Sequence, residues 1–341
     1  MPLPKGTHTL AGFFMRSRCP GHAAMRYAKP PLTIEDQADL LLSRGLIAER
    51  DLLVERLRVV SYYRLTGYWY PFRKGDPADP KRRLDDFESG ATFETVWNRY
   101  VFDRHLRLLA MDAIERIEVA TRTGIAYHHA HAHGPFAYAD DPASLPDIDS
   151  NERHHLLGSI QRERGRSKEP FVKHFQAKYG KHNNHLPIWM AAEIMSFGSM
   201  LTMYRGCPSP IRKAVAKPFG VEGVVFDSWL LTLNTVRNIC AHHSRLWNRV
   251  LGVKPMIPRA KHDARWHTPV RVGNERAFGV LTVCKHCMDR VAPQSDWPMR
   301  VRSLIQSAPE IPIRDMGFPE NWLDCPIWTS AVETEMGGGN A

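Results

Sequence analysis

No apolar run in this chain approaches about 18 residues, so no membrane-spanning helix is expected. Leu10 to Met15 is too short and too broken to be the core of a secretory leader. Cysteine is sparse, with six in 341 residues, at positions 19, 207, 240, 284, 287 and 325. That scatter argues against a disulfide framework and fits a reducing, cytoplasmic setting. No useful stretch alternates with period two, so no sheet is expected. No segment recurs at a fixed spacing, which argues against a solenoid. A glycine loop that would cradle phosphates is missing, and so is a nucleophile elbow. Cys284-Lys-His-Cys287 has the spacing of half a zinc site, but no second half follows. On a helix, residues three apart simply share a face. No metal and no cofactor are therefore expected.

What the chain does have is positive charge. Lys and Arg number 46 against 36 Asp and Glu, a formal net charge of +10, so an acidic partner is expected. Nucleic acid is the first candidate and a membrane surface the second. The small clusters Lys81-Arg82-Arg83 and Arg162 to Arg166 read as solvated faces. Histidine is abundant, at 17. The run His128, His129, His131 and His133 reads as an imidazole-rich surface, not a metal cluster.

The elements read as helices. Residues 1–29 lack periodicity and read as a flexible arm. Thr33 with Asp36 resembles a capping box and opens a helix that ends near Arg44-Gly45. A second helix is expected over 49–60. Ser61 to Phe72 is a dense aromatic block interleaved with Arg64, and it fits either a core plug or a base-stacking surface. Residues 73–90 read as a charged loop. From Thr92 to about His129, Leu106, Leu109, Ala113, Ile117, Ala120 and Gly124 recur at helical steps. Asp112–Arg116 and Glu118–Arg122 have helical ion-pair spacing there. Residues 135–187 read as irregular, with a short helix near 150–162. Trp189 to Tyr204 reads as one helix, kinked near Gly198. Phe226 to Asn248 reads as a helix with Phe226, Trp229, Leu230, Leu233, Val236 and Cys240 on one apolar stripe. Two last helices are expected over 275–291 and 298–307, and an extended tail from Pro309. The folded domain is set at 30–325, with 326–341 as a disordered tail.

The segment that carries chemistry is Arg237-Asn238-Ile239-Cys240-Ala241-His242-His243. RNA is cleaved without a metal when its 2′-hydroxyl loses a proton and attacks the adjacent phosphorus, while an acid protonates the departing 5′-oxygen. Histidine serves either role near neutral pH. A guanidinium fork neutralises the charge that builds on the phosphate oxygens. DNA lacks the attacking hydroxyl. On an ideal helix, five residues turn about 140° and rise about 7.5 Å, so the two side chains do not share a face. Asn238 sits one turn before His242 and is placed to hold its ring, with His243 as a further supporting residue. A face of Leu231, Asn234, Thr235, Asn238, Ala241 and Arg245 suits packing on a second copy, which would bring two Arg–His pairs into one cleft. On spacing alone, the favoured account is structural, an Arg237 paired with a buried acid and a His242 capping a neighbour, because such spacings are common by chance. Arg122 and His128 repeat the Arg-to-His order at a longer gap, a candidate second, degenerate site; the Glu118–Arg122 ion pair is the competing account.

Arg237 to His242 resembles the R-x4-6-H motif of HEPN-fold ribonucleases. Tyr62 to Phe72, Tyr100 to Leu109, Ala113 to Ala120, Trp247-Asn248 and Met316 to Trp322 together resemble Abi-like (abortive infection, AbiD/AbiF type) bacterial phage-resistance proteins. The resemblance covers roughly residues 30–325. It implies an all-α, HEPN-like helical bundle with additional N- and C-terminal helices, a homodimer, and a role in halting growth on phage attack. It also implies metal-independent RNA cleavage by Arg237 and His242, and a neutralising RNA or protein partner. Two other readings stand beside it: a non-catalytic RNA-binding module, and a protein scaffold in a defence or toxin–antitoxin system.

Overall fold

A computed structural model describes residues 30–329. The architecture is all-α. In chain order come α1 (Ile34–Ser43), α2 (Arg50–Val59), α3 (Tyr62–Trp69), β1 (Arg73–Asp76), β2 (Asp79–Phe87), α4 (Phe93–His133) and α5 (Ala137–Asp140). They are followed by α6 (Ser150–Arg166), α7 (Pro170–Tyr179), α8 (Ile188–Ile194), α9 (Phe197–Gly206), α10 (Ser209–Ala216), α11 (Gly223–Ala241), α12 (Ala277–Val291) and α13 (Trp297–Gln306). Residues 1–29 and the chain beyond Thr329, where the arm and most of the tail were expected, lie outside the described residues.

The long α4 organises the bundle. Its 41 residues span about 60 Å. Helices α3, α8, α10, α11, α12 and α13 all pack along it. Of the expected stripe, Leu106, Leu109, Ala113 and Ile117 are buried and Ala120 and Gly124 are half-buried, while Ala110 and Ile114, which were not expected, join the core. The stripe of α11 is complete, with Phe226, Trp229, Leu230, Leu233, Val236 and Cys240 buried. Helix starts follow local capping chemistry: Thr33 accepts from the Asp36 amide at 3.0 Å, and Asp149 with Glu152 forms a reciprocal capping box on α6.

Several expectations need correction. The segment read as a charged loop at 73–90 forms the antiparallel β1–β2 hairpin. Its strand residues are charged and mostly exposed, so no alternating pattern marks it. The segment read as irregular at 135–187 contains α7, which starts on Pro170 and buries Val172 and Phe175. The single kinked helix at 189–204 is two helices. Met195 is extended, and Ser196 caps α9 through the Ser199 amide. The chain after Pro309 is not an extended tail as far as it is described. Ile311, Met316, Phe318, Trp322, Ile327 and Trp328 are buried, and Trp328 Nε1 donates to Thr282 Oγ1 at 3.0 Å. Of the histidine run, His131 and His133 are exposed, but His129 is fully buried. Burial pushes its imidazole pKa down to about 4. Cys284 to Cys287 all face the core of α12, where burial holds both thiols well above their ordinary range.

Candidate functional site

The motif helix is shorter than expected. It ends at Ala241, not at 248. His242 is its C-cap; the His243 amide donates to the Cys240 carbonyl at 2.9 Å and the Ser244 amide to the Ile239 carbonyl at 2.9 Å. That pair of bonds is a Schellman motif. It requires a left-handed residue at His243, whose φ is +55°. Glycine usually takes that position because a Cβ there costs about 1–2 kcal/mol. The stop signal was therefore hidden in the sequence by an unfavoured residue.

Arg237 is half-buried on the last full turn of α11, while Asn238, Ala241, His242 and His243 are exposed. Arg237 Nη1 lies 3.5 Å from Asn238 Oδ1, and the Asn238 carbonyl accepts the His242 amide at 3.0 Å. Asn238 thus touches both motif residues, through its side chain to Arg237 and through its backbone to His242. Among the described residues, neither the His242 nor the His243 ring makes a hydrogen bond. Glu118 of α4 feels the charge of Arg237; burial raises its carboxyl pKa against the pull of Arg122 and Arg237. Behind the motif, burial pushes the Cys240 thiol up to about 12.

The loop after the histidines is clamped from the buried side. Asp103 of α4 is completely buried and sits under it. Its carboxylate accepts the Trp247 amide at 2.6 Å and the Leu246 amide at 3.1 Å. Tyr68 Oη of α3 donates to the same carboxylate at 2.5 Å, and Arg107 forms an ion pair with it. Burial, and then the Asp103 charge, hold the Tyr68 phenol far above its ordinary range. Burial alone would lower the Arg107 guanidinium pKa, but Asp103 and Tyr68 outweigh it and raise it. From α3, Arg64 donates to the His243 carbonyl. Arg245 donates to the Trp247 and Asn248 carbonyls, both at 3.0 Å. Gly67 makes room for it, since a Cβ there would stand 3.2 Å from Arg245 Nε. Trp247 stacks on Tyr68 and carries the Arg99 guanidinium over its face at 4.9 Å.

The aromatic block therefore divides. Leu65, Tyr68 and Trp69 fill the core, Tyr63 is 77% exposed, and Arg64 with Tyr68 fixes the loop that follows the histidines. Sequence reading missed Asp103, Tyr68, Arg64 and Arg245. The available signal was Asp103 itself, a carboxylate in phase with Leu106 and Ala110 on an apolar stripe, with Arg107 one turn on. At the other candidate pair, Arg122 is tied to Glu118 and donates to the Met195 carbonyl at 2.7 Å, joining α4 to the α8–α9 junction. His128 is half-buried nearly two turns later. Chemically, the end of α11 offers a half-open guanidinium and an unencumbered imidazole, both on a backbone fixed from below.

Among the described residues no helix is long and apolar enough to cross a membrane, and no cluster of three His, Cys, Asp or Glu is placed to hold a metal. A comparison with family models matches residues 55–248 to the Abi-like protein family. The matched segment contains every residue of the clamp and of the motif. No curated protein and no solved structure matches the chain.

Proposed function

Because the chain belongs to the Abi-like protein family, and so to abortive infection and phage defence, we propose that it acts there as an endoribonuclease whose catalytic residues are Arg237 and His242. The observation that carries this reading is the end of α11: an exposed imidazole and a half-exposed guanidinium five residues apart, followed by a loop that Arg64 holds at the His243 carbonyl and buried Asp103 holds at the Leu246 and Trp247 amides. Catalysis by acid, base and charge needs such groups fixed in place before the substrate arrives. Arg237 takes the non-bridging phosphate oxygens in its fork, and His242 moves the proton. A metal ion is not required by this chemistry. One pair supplies a single proton-transfer group. A homodimer packed through the exposed Asn238–Ala241 face supplies the second, so that one imidazole takes the 2′-hydroxyl proton and the other protonates the leaving 5′-oxygen. Asn238 supports the pair, His243 supports it only through the backbone turn it forms, and Arg122 and His128 take no part.

The test is the chemistry of the ends. An RNA cut by the purified protein in EDTA should leave 2′,3′-cyclic phosphates, and one 2′-deoxy residue at the cut site should block cleavage. Equal cleavage of DNA, or 5′-phosphate products, would rule out attack by the 2′-hydroxyl. RNA that is bound tightly and never cut would favour the binding-module reading, in which Arg237 is a phosphate contact. Absence of salt-dependent RNA binding would favour a protein scaffold.

A further inference from the structure

A groove of about 1180 Å³ opens at the opposite end of α11 from the Arg–His pair. One wall is α10 with the turn that follows it, carrying Lys213 and Lys217. The other is the loop 256–263, carrying Arg259. The first turn of α11 lies between them. The loop wall is pinned in place: Trp229 Nε1 donates to the Met256 carbonyl and the Met256 amide to Ser228 Oγ, both at 2.7 Å. The groove thus exists before any ligand arrives.

Its charge is lopsided. Of the three lining acids, Asp227 takes a two-pronged bond from Arg205 and Asp263 one from Arg265, while exposed Glu222 has only His262 near it, at 3.5 Å. Lys213, Lys217 and Arg259 are exposed and, among the described residues, form no ion pair. Exposed aliphatic surface is added by Val224 (60%) on the first turn of α11 and by Met256 (45%) on the loop wall.

We infer that this groove is a backbone-tracking site for single-stranded RNA, in which Lys213, Lys217 and Arg259 contact phosphates. This rests on the ribonuclease reading for the choice of RNA over other polyanions. Three cations without an ion pair, against Glu222 as the one lining acid without an Arg or Lys partner, suit a polyanion that runs between the walls. An excess of ten positive charges over the whole chain points the same way. From Gly223 to Ala241 the helix rises about 27 Å, so a strand held in the groove is anchored to the same rigid rod that carries the cleaving pair. Phosphate contacts position a strand without reading its bases, so the site is sequence-tolerant.

The test is fluorescence anisotropy with a labelled 20-nucleotide single-stranded RNA, from 50 to 300 mM KCl in EDTA. Every protein carries His242→Ala so that the probe stays intact. Lys213→Gln/Lys217→Gln/Arg259→Gln should flatten the slope of log K against log salt by about 2 and weaken binding at 0.15 M salt roughly 50-fold, from about 0.7 per phosphate contact. Lys168→Gln/Lys173→Gln/Lys178→Gln, the same charge change on and beside α7, should leave the slope in place. An unchanged slope in the groove variant overturns the inference, and so does an equal effect of the control. Loss of poly-glutamate binding with RNA binding intact also overturns it, and reassigns the groove to an acidic protein. RNA held through the groove but cut by no version of the protein, His242 present or absent, leaves the groove standing and removes the ribonuclease reading.

Discussion

Replacing Asp103 by alanine tests the clamp under the histidine loop. The substitution removes a fully buried carboxylate that accepts the Leu246 and Trp247 amides and the Tyr68 hydroxyl. It also leaves the Arg107 guanidinium without its counter-ion, with a side chain only 7% exposed. Breaking one partner of a buried pair costs about 3–5 kcal/mol, because the surviving charge is stranded. With an unfolding entropy of roughly 2.1 cal/mol/K per residue, a loss of about 4 kcal/mol lowers the melting temperature by about 6 °C. The loss should also be local. Hydrogen exchange at the Leu246 and Trp247 amides should accelerate before exchange at the α4 core. Asp103→Asn, which keeps one acceptor oxygen, should fall between alanine and wild type. RNA cleavage should drop in the same order, because the loop that follows His242 loses its lower anchor. A melting temperature within 1 °C of wild type for Asp103→Ala, or unchanged amide protection at 246 and 247, would refute the clamp.

The remaining predictions concern the histidines and a thiol. His243→Gly should be neutral or stabilising by up to about 1 kcal/mol, since glycine relieves the left-handed strain, and cleavage should persist; loss of cleavage would make His243 a participant. His129→Leu should leave stability at pH 7.5 nearly unchanged and flatten its acid limb. The folded pKa of about 4 lies below the unfolded value near 6.5. The unfolded chain therefore takes the proton first, and stability is lost as pH falls from 6.5 to 4, at up to about 1.4 kcal/mol per pH unit. A limb as steep in the variant as in wild type would place the loss elsewhere, first at buried His286, also near 4, and at His185, which burial lowers too. Cys240, pushed up to about 12 by burial, should stay unlabelled by a thiol reagent at pH 8 in the native protein and react on unfolding; fast native labelling would contradict the packing of α11.

How much was legible follows from how local each signal is. The starts of α1 and α6 depend on residues three apart, and the stripes of α4 and α11 repeat within a few turns, so a linear reading finds α1 and both stripes. The Glu118–Arg122 pair is legible for the same reason. The end of α11 was missed because its Schellman turn uses His243 where glycine would have announced it. The hairpin was missed because strands of charged, exposed residues carry no alternation. Asp103 and Trp247 are 144 residues apart, and no spacing rule joins them. Trp322 and Trp328 looked like a tail because aromatic residues in irregular chain carry no period, yet they close the core over α12 and α13. The motif itself was visible as residue types; the clamp that positions it appeared only with the fold.

Single-turnover RNA cleavage in EDTA decides whether Arg237 and His242 cut RNA, comparing wild type with Arg237→Ala, Arg237→Lys and His242→Ala, each first shown to melt like wild type. Arg237→Ala should lose about 10²–10³ in rate, as for removal of one transition-state donor. Arg237→Lys should recover only part of that, since a point charge does not reproduce the fork. His242→Ala should lose on the order of 10²–10⁴, the range of acid–base catalysis. Cleavage that survives His242→Ala undiminished, or that depends on added Mg²⁺, would contradict the account.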